Sequence, residues 1–111
     1  MISKEANNDR GWAIRRNGTT KNIESRWCIA GNDHTATGDI LDDGEWHHVA
    51  ASWDGRIRTL YIDGEINVQS SSSGSIKPTN RLLVIGARDN GGYGMPESAW
   101  YNGKLLSLIH I

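Results

Sequence analysis

The stretch DGEWHHVAASWDGRIRTLYIDGE, Asp43 to Glu65, decides the reading of the fold. Between its Asp-Gly pairs, apolar and polar residues alternate with the period of two that marks half-buried strands. From Trp46 to Trp53 the alternation sets His47, Val49, Ala51 and Trp53 on one face and Trp46, His48, Ala50 and Ser52 on the other. The first face is the core candidate. Asp54-Gly55 then supplies the positive φ angles of a tight turn. The chain returns through RIRTLYID with Leu60 and Ile62 on one face and Ile57, Thr59 and Tyr61 on the other. Asp63-Gly64 repeats the device before EINVQ, so the stretch predicts an antiparallel meander of three strands.

The same grammar extends in both directions. Upstream, GWAIRR runs into Asn17-Gly18 and SRWCIA into GNDH, each a strand leaving into a turn or loop. Downstream, SSSSGSIKPTN is a polar connector in which Pro78 disfavours a central strand. RLLVIGA (81–87) is apolar on both faces and suits the middle of a sandwich. RDNGGYGMPESAWYNG (88–103) is long for a loop in a compact domain, and such loops are often functional. KLLSLIHI closes the chain as a last strand. No stretch carries helical periodicity, so the expected class is all-β.

The totals bound what such a domain does. At 111 residues the chain has the size of one domain, spanning 1–111. The 12 Lys and Arg against 13 Asp and Glu leave a net charge of -1, which gives no field to gather nucleic acid. No apolar run reaches the roughly 20 residues that span a bilayer, so membrane insertion is not expected, and MISKEANNDRGW lacks the apolar centre of a signal peptide. Cys28 is the one cysteine, which excludes an internal disulfide and a multi-thiolate zinc site; it reads as a small buried residue.

Candidate chemistries can then be weighed. Glycoside hydrolysis needs two carboxyl groups facing one cleft, about 5–5.5 Å or about 6.5–9.5 Å apart. The nearest approach, Asp63 with Glu65, spans a hairpin turn and reads as turn former and solvated neighbour. His47 and His48 are strand neighbours whose rings point to opposite faces, a poor geometry for sharing one ion. GARDNGG leads into no helix and makes no phosphate loop. Calcium takes six to eight oxygens, and Asn32, Asp33, Asp39, Asp42, Asp43, Asp89 and Asn90 all fall in expected loops. Of these, Asp89 and Asn90 are the first candidates for a Ca2+ or sugar contact. Sugar stacking needs an aromatic face beside polar groups, which Tyr93 and Trp100 offer near Asp89, Asn90 and Asn102. Trp12, Trp27, Trp46 and Trp53 lie in strand patterns and are expected to pack in the core or on a sheet.

Taken in order, DGEWHHVAASWDGRIRTLYIDGE, LLVIGARDNGG and WYNGK resemble the laminin G-like, concanavalin A-like jelly-roll family, over residues 43–104 and more weakly over Ile2–Ile14. The resemblance implies two packed antiparallel sheets in a secreted or cell-surface protein. It further implies binding of carbohydrate or protein, with calcium at a rim in some members. Hydrolase relatives carry a Glu-x-Asp-x-Glu strand that this chain lacks, so a non-catalytic module is expected, with a glycan or glycosylated surface as partner. Ligand contacts are then expected at Asp89, Asn90, Tyr93, Trp100 and Asn102. A remnant of a polysaccharide hydrolase and a structural, self-assembling domain are the alternatives. Two departures stand out. Family domains usually begin with further strands ahead of the ISK position, and Leu106 and Ser107 stand where the family's closing strand carries two acids. A shortened sandwich exposes strand edges, so a homodimer paired through an edge strand is also expected.

Overall fold

The computed structural model describes residues 2–6, 9–87 and 104–105. The regular elements among them are all strands: β1 (Ile2–Ala6), β2 (Asp9–Arg16), β3 (Asn22–Ile29), β4 (Asn32–Ile40), β5 (Val49–Trp53), β6 (Ile57–Ile62), β7 (Glu65–Ser71) and β8 (Val84–Ile85). They form two antiparallel sheets, one in the order β4-β3-β2-β1-β8 and one in the order β5-β6-β7. This is the expected all-β sandwich of jelly-roll type.

The meander forms as read, but its two Asp-Gly turns differ. At Asp63-Gly64 both residues take positive φ, 53° and 87°, and the strands meet at Ile62 and Glu65. At Asp54-Gly55 only Gly55 does, at 97°. Asp54 instead closes the turn with its carboxylate, which accepts from the backbone N–H groups of Arg56 (2.8 Å) and Ile57 (2.7 Å). A third tight turn, Ala30-Gly31 with φ of 50° and 81°, joins β3 to β4. Asn32, Asp33 and Asp39 therefore lie in a strand rather than in loops. The sequence pattern hid this turn because alanine disfavours positive φ.

The sheets approach closely at β4. Leu60 is fully buried, and a Cβ on Gly38 would lie 2.7 Å from its Cδ2 and collide with Asn67 Oδ1. Only glycine allows that approach. Asn67 of β7 ties the two sheets together: its Nδ2 donates to Asp39 Oδ2 (2.7 Å) and its Oδ1 accepts from Asp39 N (3.1 Å). Cys28 is buried beside fully buried Ile29, as its composition suggests.

Of RLLVIGA only Val84 and Ile85 are strand, paired with Ser3 and Ile2; among the described residues this places β8 at the outer position of the larger sheet and not at its middle. Leu82, Leu83 and Ile85 are about half exposed.

Candidate functional site

Asp89, Asn90, Tyr93, Trp100 and Asn102, and the loop 88–103 that carries them, lie outside the described residues, as do Leu106 and Ser107. The described residues assemble a different group at the β6–β7 turn. His47 Nδ1 lies 2.7 Å from Asp63 Oδ2, and its Nε2 lies 3.0 and 3.1 Å from the two oxygens of Asp43. Ionised carboxylates only accept, so both contacts are hydrogen bonds when the imidazole carries two protons. The hydrogen bonds to Asp63 and then Asp43 hold His47 above its ordinary value of 6.5. Asp63 is lowered in turn, first by His47 and then by the His48 N–H. Asp43 is lowered first by the Glu45 N–H and then by His47.

Backbone bonds complete this clamp. His48 N donates to Asp63 Oδ1 (2.8 Å), Asp63 N donates to His48 O (2.8 Å), and Glu45 N donates to Asp43 Oδ1 (2.9 Å). The loop ahead of β5 is thereby fastened to the β6–β7 turn. The register itself could have revealed the cluster. A two-residue turn at Asp63-Gly64 with Val49 opposite Ile62 sets Asp63 opposite His48, one residue from His47. The expected separation of the two rings stands in one respect: His47 is drawn into the clamp, while His48 is exposed and contributes only backbone.

Trp46 departs from expectation. It lies ahead of β5 rather than within it and is 61% exposed, so it is neither a core nor a sheet residue among the described contacts. It directly precedes His47 on the loop that the clamp fastens. On the same loop Asp42 pairs with Arg16 (3.2 Å) and Lys21 (3.6 Å). The loop thus carries an exposed indole together with paired carboxylates.

Several of the described carboxylates have structural partners. Glu24 takes Arg15 through Nε (3.0 Å) and Nη2 (2.9 Å) and Asn17 through Nδ2 (2.8 Å). Buried Glu5 pairs with Arg26 at 2.6 Å. Asp39 holds Asn67, and Asp63 is committed to the clamp. Among the described residues no group of His, Cys, Asp or Glu is arranged to hold a metal ion; in the clamp each ring nitrogen faces a different carboxylate. The calcium candidates Asp89 and Asn90 lie outside the described residues.

Two antiparallel sheets, brought together where Gly38 of β4 meets Leu60 and Asn67, define a β-sandwich. The family model described as the Concanavalin A-like lectin/glucanases superfamily, of the laminin G type, matches residues 1–106. The chain belongs to that family. The match takes in the N-terminal strands, where the resemblance read from the residues was weak. No curated protein and no solved structure matches the chain.

Proposed function

We propose that the chain is a non-catalytic module that binds carbohydrate at the rim carrying Trp46. The observation that supports this most directly is an exposed tryptophan on a base immobilised by the Asp43–His47–Asp63 clamp. An exposed aromatic face takes the apolar face of a pyranose ring, and carboxylates of the same loop can accept from sugar hydroxyls. Immobilising that base in advance reduces the ordering cost of binding. The structural employment of Glu5, Glu24, Asp39 and Asp63 favours binding over hydrolysis, since none of them stands free to act as acid or nucleophile. Tyr93 and Trp100, with Asp89, Asn90 and Asn102, are proposed from their chemistry alone as a second set of contacts. Secretion or surface display of a longer parent is consistent with such a role.

A glycan array followed by calorimetric titration of the strongest hit tests this reading. Trp46→Ala is expected to weaken binding at least tenfold while leaving the melting temperature nearly unchanged. Undiminished binding by that variant would remove the Trp46 rim from the site; loss in Tyr93→Ala or Trp100→Ala instead would move it to the 88–103 loop. Release of reducing sugar from a polysaccharide would overturn the non-catalytic assignment.

A further inference from the structure

We propose that the inward face of the β5–β6–β7 sheet, at its Asp54 end, is a binding site for a small oxyanion received by Arg58, Trp53 and Ser72. Arg58 is 4% exposed. Its Nη2 donates to Ser70 Oγ (2.9 Å), but Nε and Nη1 have no acceptor among the described residues. Trp53 Nε1 and Ser72 Oγ are buried and equally without a partner.

The register gathers these groups. Arg58 stands directly opposite Trp53 on β5 and Ser70 on β7, and Ser72 N donates to Arg56 O (2.8 Å), continuing the pairing toward the turn. Residues opposite one another in an antiparallel pair share a face. Leu60, two residues from Arg58, lies against the Gly38 position of β4, so that face is the one turned toward the other sheet.

The chemistry of the group selects the ligand. Guanidinium and indole nitrogens donate and cannot accept, and the one acceptor within the set, the Ser72 hydroxyl with two lone pairs, cannot satisfy Arg58 Nε, Arg58 Nη1 and Trp53 Nε1 together. A water would occupy an N–H but leave a buried positive charge uncompensated, whereas an oxyanion supplies both acceptors and charge. Burial already pushes the Arg58 guanidinium down from its ordinary value, the direction an absent counter-charge leaves it in.

At the same end of the sheet Asp54, Arg56, Ile57, Ser71, Ser72 and Ser73 line an open depression of about 600 Å3, and Ser72 belongs both to its lining and to the buried donor set. Asp54 is the one carboxylate in that lining. Its Oδ1 accepts two backbone N–H groups, which offsets its repulsion of an anion, and Arg56 stands beside it.

The shared chemistry is that of a carboxylate or a sulfate-like group, and it is independent of the glycan site because Trp46 plays no part. The test is thermal melting of the whole chain in chloride-free buffer, titrated with sodium sulfate or sodium acetate at constant ionic strength. A saturable rise in Tm at millimolar anion is expected, absent in Arg58→Met and weakened in Arg58→Lys. A stronger response to acetate indicates an organic carboxylate, and a stronger response to sulfate an inorganic oxyanion. Sulfate also stabilises proteins generally through exclusion from their surface, so an equal rise in wild type and Arg58→Met would overturn the site. Should Arg58→Met fail to fold, calorimetric titration of the wild-type chain decides: no saturable heat with either salt overturns the proposal.

Discussion

Arg26 and Arg58 are both buried, 9% and 4% exposed, yet one is neutralised and the other is not. Arg26 lies on the face of the larger sheet that also carries Ala13, opposite it on β2, and its guanidinium meets Glu5 at 2.6 Å with Asp33 at 4.0 Å. Arg15 and Glu24, another opposed pair on that face, repeat the arrangement at 2.9 Å. Arg58, in the smaller sheet, has a serine hydroxyl as its one acceptor among the described residues. A charge buried on a sheet therefore takes its role from the side chains that share its face, including those beyond the adjacent strand: opposite Arg26 stand Ala13 and Thr35, and its acid comes from β1, across β2. Where the face supplies an acid, the arginine belongs to the scaffold; where it supplies Trp and Ser, the arginine is left with unused donors.

The largest effect expected from this contrast is on stability. Arg26→Met would remove the Arg26 partner of buried Glu5, and breaking a buried pair from one side typically costs about 3–5 kcal/mol. Arg58→Met in anion-free buffer removes an uncompensated buried charge and is expected to be neutral or stabilising, since apolar replacements of buried ionic groups often are. Urea unfolding of the two variants measures both. Equal destabilisation would erase the distinction and show that Arg58 has a structural acceptor after all.

A smaller effect is expected where the two sheets meet. Gly38→Ala places a methyl group against Leu60 Cδ2 and Asn67 Oδ1, and overpacking of this kind typically costs about 1–3 kcal/mol. Asn67 cannot yield without releasing Asp39, so the loss should be accompanied by loosening of the β4–β7 contact, read as faster amide exchange at Asp39. Unchanged stability would mean that the sheets are free to part there, and that the ion-paired face of the larger sheet carries the fold alone.

What the sequence disclosed follows from the same physics. The meander was legible because Asp63-Gly64 states its turn chemistry outright and the flanking alternation states the faces. β4 was not, because HTATGDI turns inward with Ala36 and Gly38, residues selected for close approach instead of apolar bulk. The buried Glu5, Glu24 and Arg26 carried no signal at all: a charged residue reads as exposed until the partner on its face of the sheet is known. The clamp was half legible, since the turn register points Asp63 at the histidine pair while nothing local points Asp43 there. The residues first expected to bind ligand, Asp89 to Asn102, fall outside the described part of the fold, and Trp46 was assigned to a strand that begins only at Val49.

The smallest effect concerns the clamp, whose groups are near solvent and whose signature is a pH profile. His47 has its value raised, so its contribution is fully present below the ordinary 6.5 and is lost as pH rises through the raised value. Asp43 and Asp63 have theirs lowered, so their contribution is present above the ordinary 3.8 and is lost as pH falls through the lowered values. These are one coupling seen from its two sides, and it is strongest between about pH 4 and 6.5, where both carboxylates and the imidazolium are charged. Melting temperature followed from pH 3 to 9 should therefore decline above neutrality in the wild type. Most of that decline should vanish in His47→Gln, which keeps a polar side chain but cannot take up the second proton. Such a result would mark the clamp as a titrating fastener of the loop. A profile identical in wild type and His47→Gln would instead mean that the two carboxylates hold the loop through their backbone N–H contacts alone, with His47 as a bystander between them.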